Sequence, residues 1–123
     1  MTDNILAHIC SADYKEISKW VKDKKGNRKG LFVAYNDVNG NVCIGYSFCN
    51  LKHDKFDVIK ANNLAYDRCH WFMNASVDSV MGGVPYEHIN DFVNFIERCK
   101  KYYRDKSMPV WVSVLYSFLL AKI

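Results

Sequence analysis

The sequence predicts an α+β fold, an antiparallel hairpin-containing sheet packed with two to three helices, on three observations. Two apolar runs, Leu31-Phe-Val-Ala-Tyr35 and Asn41-Val-Cys-Ile-Gly-Tyr-Ser-Phe48, flank Asn39-Gly40, a pair that tolerates positive φ and is the strongest hairpin signal in the chain. Downstream of Pro85, the residues Ile89, Phe92, Val93, Ile96, Cys99 and Tyr103 recur at three- and four-residue steps, as on an amphipathic helix. The chain has 123 residues, 50% hydrophobic and 24% charged, which suits one compact domain over residues 1–123 with its own core. No linker, internal repeat or low-complexity segment divides it.

Taken in order, Ile5 to Cys10 is short and apolar and reads as a first strand. Ser11 then caps a helix from Asp13 to Lys24, whose apolar positions Tyr14, Ile17, Trp20 and Val21 are spaced by three, three and one. Lys22, Lys24, Lys25, Arg28 and Lys29 form a basic run broken by Gly26 and Gly30. It reads as a solvated loop, with an anion-facing loop as the alternative. After the hairpin, Asp54 caps a helix from Lys55 to about His70, and Asp57 adds negative charge to its first turn. The expected buried stripe is Val58, Ala61, Ala65 and Cys69, with Phe56, Ile59 and Leu64 at its margin. Trp71-Phe72-Met73 leaves that helix as an apolar clump, and Val77 to Gly83 reads as a loop. Pro85 occupies the first position of the next helix, and Lys100, Lys101, Arg104 and Lys106 crowd its C-terminus, where positive charge is favoured. Beyond Pro109, Val110-Trp-Val-Ser-Val-Leu-Tyr116 is β-branched and fits a buried strand, although Leu115 to Ala121 equally fits a helical turn. The expected order is β-α-β-β-α-α-β.

Composition narrows the function classes. A formal charge of +4 favours anionic partners but falls short of the dense basic stripe of a duplex-DNA binder, so nucleic acid is a poor fit. Eight Tyr, seven Phe and three Trp exceed what a small core needs, so some rings are expected on a binding surface or a homo-oligomer interface. Five cysteines without a CxxC pair, and a polar N-terminus, fit free thiols in a reducing cytoplasm. The longest apolar run, Val110 to Ala121, is about half of what a membrane-spanning helix requires.

The catalytic readings are thin. Cys49, His53, Cys69 and His70 are of metal-ligating type. However, Cys69 and His70 lie about four helical turns beyond the other two and project about 100° apart, so ordinary buried thiols fit better. Cys49 with His53 lacks a third group to orient the base and an oxyanion site. Asp54 and Asp57 are explained by capping. No catalytic residue, metal or cofactor is expected. An anion site is better supported, because the Asn50-Leu-Lys-His-Asp-Lys55 loop ends where a helix begins. There, free N–H groups with Lys52 or Lys55 can hold a phosphate. Arg68 and Arg98 are candidates to grip a second phosphate, with exposed surface pairing as the alternative. Tyr46, Phe48, Phe56 and Trp71 are candidates to stack on a base, with core packing as theirs.

Several of these segments are similar to those of a family. Gly45-Tyr46-Ser47-Phe48-Cys49, Asp54-Lys55-Phe56, Ala65-Tyr66-Asp67-Arg68, and Phe95-Ile96-Glu97-Arg98 on the Pro85 helix resemble the segments of small phage-encoded proteins, the Thoeris anti-defence signal sponges. The resemblance runs from Cys43 to Arg104. It departs at Asn50-Leu51-Lys52, where Ser-Pro-Lys or His-Pro-Lys is common, and at Val58-Ile59. It implies a phage-type protein that binds a cyclic nucleotide signal in the host cytoplasm without cleaving it, with Arg68 and Arg98 as its foremost contacts. Three other functions compete with it. One is a protein-binding inhibitor acting by surface occlusion, and another is a single-stranded nucleic-acid binder using residues 22–29. The third is a small hydrolase with His53 or His70 as its base.

Overall fold

The computed structural model describes residues 14–121. Three antiparallel strands, β1 (Glu16–Lys22), β2 (Arg28–Asn36) and β3 (Val42–Phe48), form a sheet in the order β1-β2-β3. Four helices follow, α1 (Val58–Phe72), α2 (Val77–Met81), α3 (Ile89–Tyr102) and α4 (Val110–Ala121), with a single 3-10 turn at Tyr86–His88 leading into α3. The fold is α+β. The strand expected at residues 5–10 and the Ser11 cap lie outside the described residues.

Each face of the sheet packs against helices, which explains why β2 and β3 are buried almost throughout. Phe32 and Ala34 of β2, with Val42, Ile44 and Tyr46 of β3, meet Val80, Phe92, Phe95, Ile96, Trp111 and Leu115 from α2, α3 and α4. On the opposite face Leu31, Val33 and Cys43 meet Ala65 and Cys69 of α1. Small residues let α1 lie close to β3. A Cβ on Gly45 would sit 2.5 Å from the Ala65 carbonyl oxygen and 2.5 Å from the Cys69 amide nitrogen. Ser47 Oγ donates to the Ala61 carbonyl at 2.9 Å across the same contact.

The hairpin expected at Asn39-Gly40 is present, with β2 and β3 paired from Gly30↔Phe48 to Asn36↔Val42. Its turn differs from the two-residue form that Asn-Gly suggests. Gly40 has a φ of 80° and Asn39 does not take positive φ, so three residues close the loop, while Asp37 carboxylate oxygen Oδ1 accepts from the amides of Asn39 and Asn41. The same arrangement closes β1 onto β2. There Asp23 Oδ1 accepts from Lys25 and Asn27 amides, and Gly26 has a φ of 84°. Both turns read Asp-x-x-Gly-Asn, at residues 23–27 and 37–41, a local repeat too short to mark a duplicated unit.

That first hairpin overturns the helix expected from Asp13 to Lys24, since the segment is strand β1, paired from Glu16↔Tyr35 to Lys22↔Arg28. Ile17 and Val21 fit both periods, and the open edge of β2 decides, because a strand there satisfies a row of backbone groups that a helix would leave bare. Helix α1 starts at Val58 and not at Lys55; its N-cap is Asp57, which accepts from the Lys60 amide at 3.1 Å, and not Asp54. Within the expected stripe, Ala61, Ala65 and Cys69 are buried but Val58 is exposed. The expected loop at residues 77–83 contains the short helix α2, capped by Ser76. The segment after Pro109 is helix α4 and not a strand, burying Trp111, Val112 and Leu115 at helical spacing while Val110, Val114 and Phe118 stay exposed.

Candidate functional site

The β3–α1 junction singled out by the sequence separates two clefts. The loop of residues 50–54 turns tightly, with Asn50 accepting from the His53 and Asp54 amides through its carbonyl and from the Lys52 amide through its side chain. On one side is a cleft of about 370 Å³ lined by Phe48, Cys49, Lys55, Phe56, Lys60 and Leu64, among others. Its charge is mixed, because Asp54 and Asp57 line it too. On the other side, the loop faces the β1–β2 turn across a cleft of about 850 Å³. Lys22, Lys24, Lys25, Lys29 and Lys52 line this second cleft, against the carboxylates of Asp23 and Glu87. Asp23 is held by the turn amides, and Glu87 pairs with Lys29, one of the five lysines, at 3.2 Å. Five lysines against two carboxylates leave the cleft net positive.

At the helix start where the sequence suggests a phosphate, the Asp57 carboxylate accepts from the Lys60 amide and places a negative charge beside the first turn of α1. In the basic run at residues 22–29, expected as a solvated loop or else an anion-facing one, Lys22, Lys24, Lys25 and Arg28 are exposed, and its four lysines line the positive cleft while Arg28 lies over the Trp20 ring. Lys52 lies in that cleft and Lys55 in the smaller one.

The two arginines are not brought together. Arg68 on α1 reaches across the outer edge of β3, donates from Nη1 to the Tyr46 carbonyl at 3.2 Å and lies 5.6 Å from the Tyr46 ring centroid. It satisfies an edge carbonyl of the sheet, and neither cleft includes it. Arg98 is exposed on α3, on the other side of the sheet.

The four rings also separate. Tyr46 is buried, its hydroxyl donating to the Val80 carbonyl at 2.5 Å, so it is a core ring and cannot receive a base. Trp71 is 78% exposed, about 20 Å along α1 from the junction by helical rise. Phe48 and Phe56 remain at the smaller cleft, Phe56 in a T-shaped contact with Trp20 at 5.7 Å between ring centroids, and Trp20 in turn carries the Arg28 guanidinium at 4.5 Å.

Sequence reasoning missed His88. Its imidazole is buried, lies nearly parallel to Phe48 (17° between planes, 5.8 Å between centroids), and lines the positive cleft. Asp91 Oδ2 is 2.9 Å from its Nδ1. The signal was His and Asp three apart at a helix start, a spacing that puts both on one side.

Nucleophilic and metal chemistry gain nothing from these positions. Cys49 Sγ is directed at the Asp54 and Lys55 carbonyls, at 3.9 and 3.8 Å, and His53 is exposed. Cys69 is buried while the neighbouring His70 is exposed. Among the described residues, no three His, Cys, Asp or Glu side chains gather as metal ligands, and no helix is long and apolar enough to cross a membrane. Burial pushes the Cys43 thiol up to about 11 and the Cys99 thiol up to about 12, and holds that of Cys69 well above its ordinary value, the opposite of activated nucleophiles. No family model, curated protein or solved structure matches this chain.

Proposed function

We propose that this protein is a phage-type anti-defence protein that binds and sequesters a cyclic nucleotide immune signal without cleaving it, acting in the host cytoplasm as a homo-oligomer. The observation that carries the reading is the cleft lined by five lysines and two carboxylates, in which Lys29 pairs with Glu87 and Lys22, Lys24, Lys25 and Lys52 outnumber the remaining Asp23. Such a cleft attracts a phosphorylated ligand at long range and holds it by charge-assisted hydrogen bonds. Phe48 and Phe56, one cleft away, offer apolar surface for a base. The resemblance between Cys43 and Arg104 supplies the nature of the ligand. The contacts proposed are Lys22, Lys24, Lys25, Lys29 and Lys52 in place of Arg68 and Arg98.

The test is to incubate the protein with a panel of cyclic and linear nucleotides, remove free ligand, denature by heat and analyse what is released. Intact nucleotide supports sequestration. An altered nucleotide makes the protein an enzyme, and release of none removes both readings. A Lys24→Glu/Lys25→Glu variant is expected to lose captured ligand at unchanged melting temperature.

A second reading has its own observation. Helix α4 contains no charged residue, and Val110, Val114 and Phe118, four residues apart, leave an apolar stripe on its outer face. An inhibitor that occludes a host protein would use such a face. Phe118→Glu abolishing anti-defence activity while nucleotide capture persists would favour it.

A further inference from the structure

His88 is buried where the fold asks only for a flat ring to cover Phe48, yet it carries a carboxylate partner and borders the lysine cleft. A carboxylate only accepts, so Asp91 holds a proton on Nδ1. Nε2 makes no hydrogen bond to any described residue, and His88 is one of the residues that line the cleft. In the neutral ring Nε2 presents a lone pair, which repels an anionic oxygen. In the imidazolium it presents a donor.

We propose that His88 is a ligand-contacting residue of the lysine cleft, its imidazolium donating Nε2–H to an anionic oxygen of a phosphodiester, so that capture of the anion takes up one proton at this ring. The inference rests on the lysine cleft being the ligand site. The charged groups facing His88 come from every neighbouring element. Asp91 on α3 and Glu87 in the preceding turn bring negative charge, and Lys29 of β2 with the cleft lysines of β1, the β1–β2 turn and the 50–54 loop bring positive charge. Lys29 is itself paired with Glu87, which leaves Asp91 as the carboxylate in direct contact with the ring. A phosphodiester adds a second negative charge beside the ring. Imidazole is the side chain that ordinarily titrates between pH 5 and 8, so the binding of a ligand of fixed charge reports this ring.

The experiment uses the full chain with two probes whose charge is constant across that range, 3′,5′-cyclic AMP and sulfate. Affinity is measured by calorimetry at several pH values, and the ring protons of His88, His53 and His70 are followed by NMR. The expected result is an affinity for cyclic AMP that rises up to about tenfold per pH unit on acidification through the imidazole range. The His88 titration midpoint should move up when the probe is added, and those of the exposed His53 and His70 should not. His88→Gln should flatten the pH profile, and the wild-type NMR titration carries the test if that variant does not fold. Sulfate reproducing the pH effect identifies a site for any oxyanion, and cyclic AMP alone producing it identifies a nucleotide site; both support the proposal. Binding that is independent of pH, with His88 unmoved, overturns the role of His88 and leaves the cleft standing. No binding of either probe at any pH overturns both. Hydrolysed cyclic AMP, lost in His88→Gln, overturns the contact role in favour of a catalytic one.

Discussion

Arg68 illustrates how a residue chosen for one chemistry serves another. Its guanidinium donates to the Tyr46 carbonyl on the outer edge of β3 and lies over the Tyr46 ring. Arg68→Ala is therefore expected to lower stability by about 1.5–3 kcal/mol, the range for a hydrogen bond to a charged group, while anion binding stays unchanged; denaturant melts and calorimetry check the two halves. Gly45 is the tightest point of the α1 contact, and any Cβ there meets helix backbone at 2.5 Å. Gly45→Ala should thus cost more than the usual 1–3 kcal/mol of overpacking, read as a fall in the denaturation midpoint. Ile96 is fully buried in the middle of the α3 stripe, and Ile96→Ala should cost about 2–5 kcal/mol. At Gly30 an added Cβ would stand 2.7 Å from the Phe48 ring. Gly30→Ala should displace Phe48, and with it the stacked His88, weakening anion binding more than a surface change on the same strand.

Among the elements, the two Asp-x-x-Gly-Asn turns are each decided by one aspartate and one glycine. The aspartate collects two amides, and the glycine accepts a φ that costs other residues about 1–2 kcal/mol. Gly26→Ala and Gly40→Ala should each destabilise by about that amount, and only Gly26→Ala should also disturb the lysine cleft, since only its turn lines that cleft. The α3 helix and the β2–β3 hairpin were legible because their periods are long and flanked by a proline or an Asn-Gly pair. Strand β1 was misread because four apolar residues spaced three, three and one satisfy a helix nearly as well as a strand. Helix α4 was ambiguous because β-branched valines at 110, 112 and 114 favour extended structure locally, whereas packing of Trp111 against Phe92 rewards the helix.

For the whole molecule, the sheet is enclosed between α1 and the layer formed by α2, α3 and α4, and the buried thiols make that enclosure sensitive to alkali. Desolvation raises Cys43 to about 11 and Cys99 to about 12, from an ordinary thiol value of 9.0, and raises Cys69 as well. Tyr35 and Tyr103 are raised for the same first reason. A raised value in the folded state means that the unfolded chain loses its protons first. The stabilisation is therefore complete below pH 9 and is lost as pH climbs through about 11 to 12. Each pKa difference of one between the folded and unfolded thiol is worth about 1.4 kcal/mol. Thermal melts in a reducing buffer should be flat near neutrality and fall steeply above pH 9, and Cys99→Ala should show a shallower fall.

The sequence by itself determined the fold class, the central hairpin and the α3 helix, because each is written in local periodicity or turn chemistry. It also supplied the basic run, without its location. Only the tertiary structure decided that β1 is a strand, that Arg68 and Arg98 lie on opposite sides of the sheet, and that the lysines of one turn face Lys52 and His88 across a cleft. Those are relations between residues distant in the chain, set by which surface each element buries, and local spacing carries no record of them.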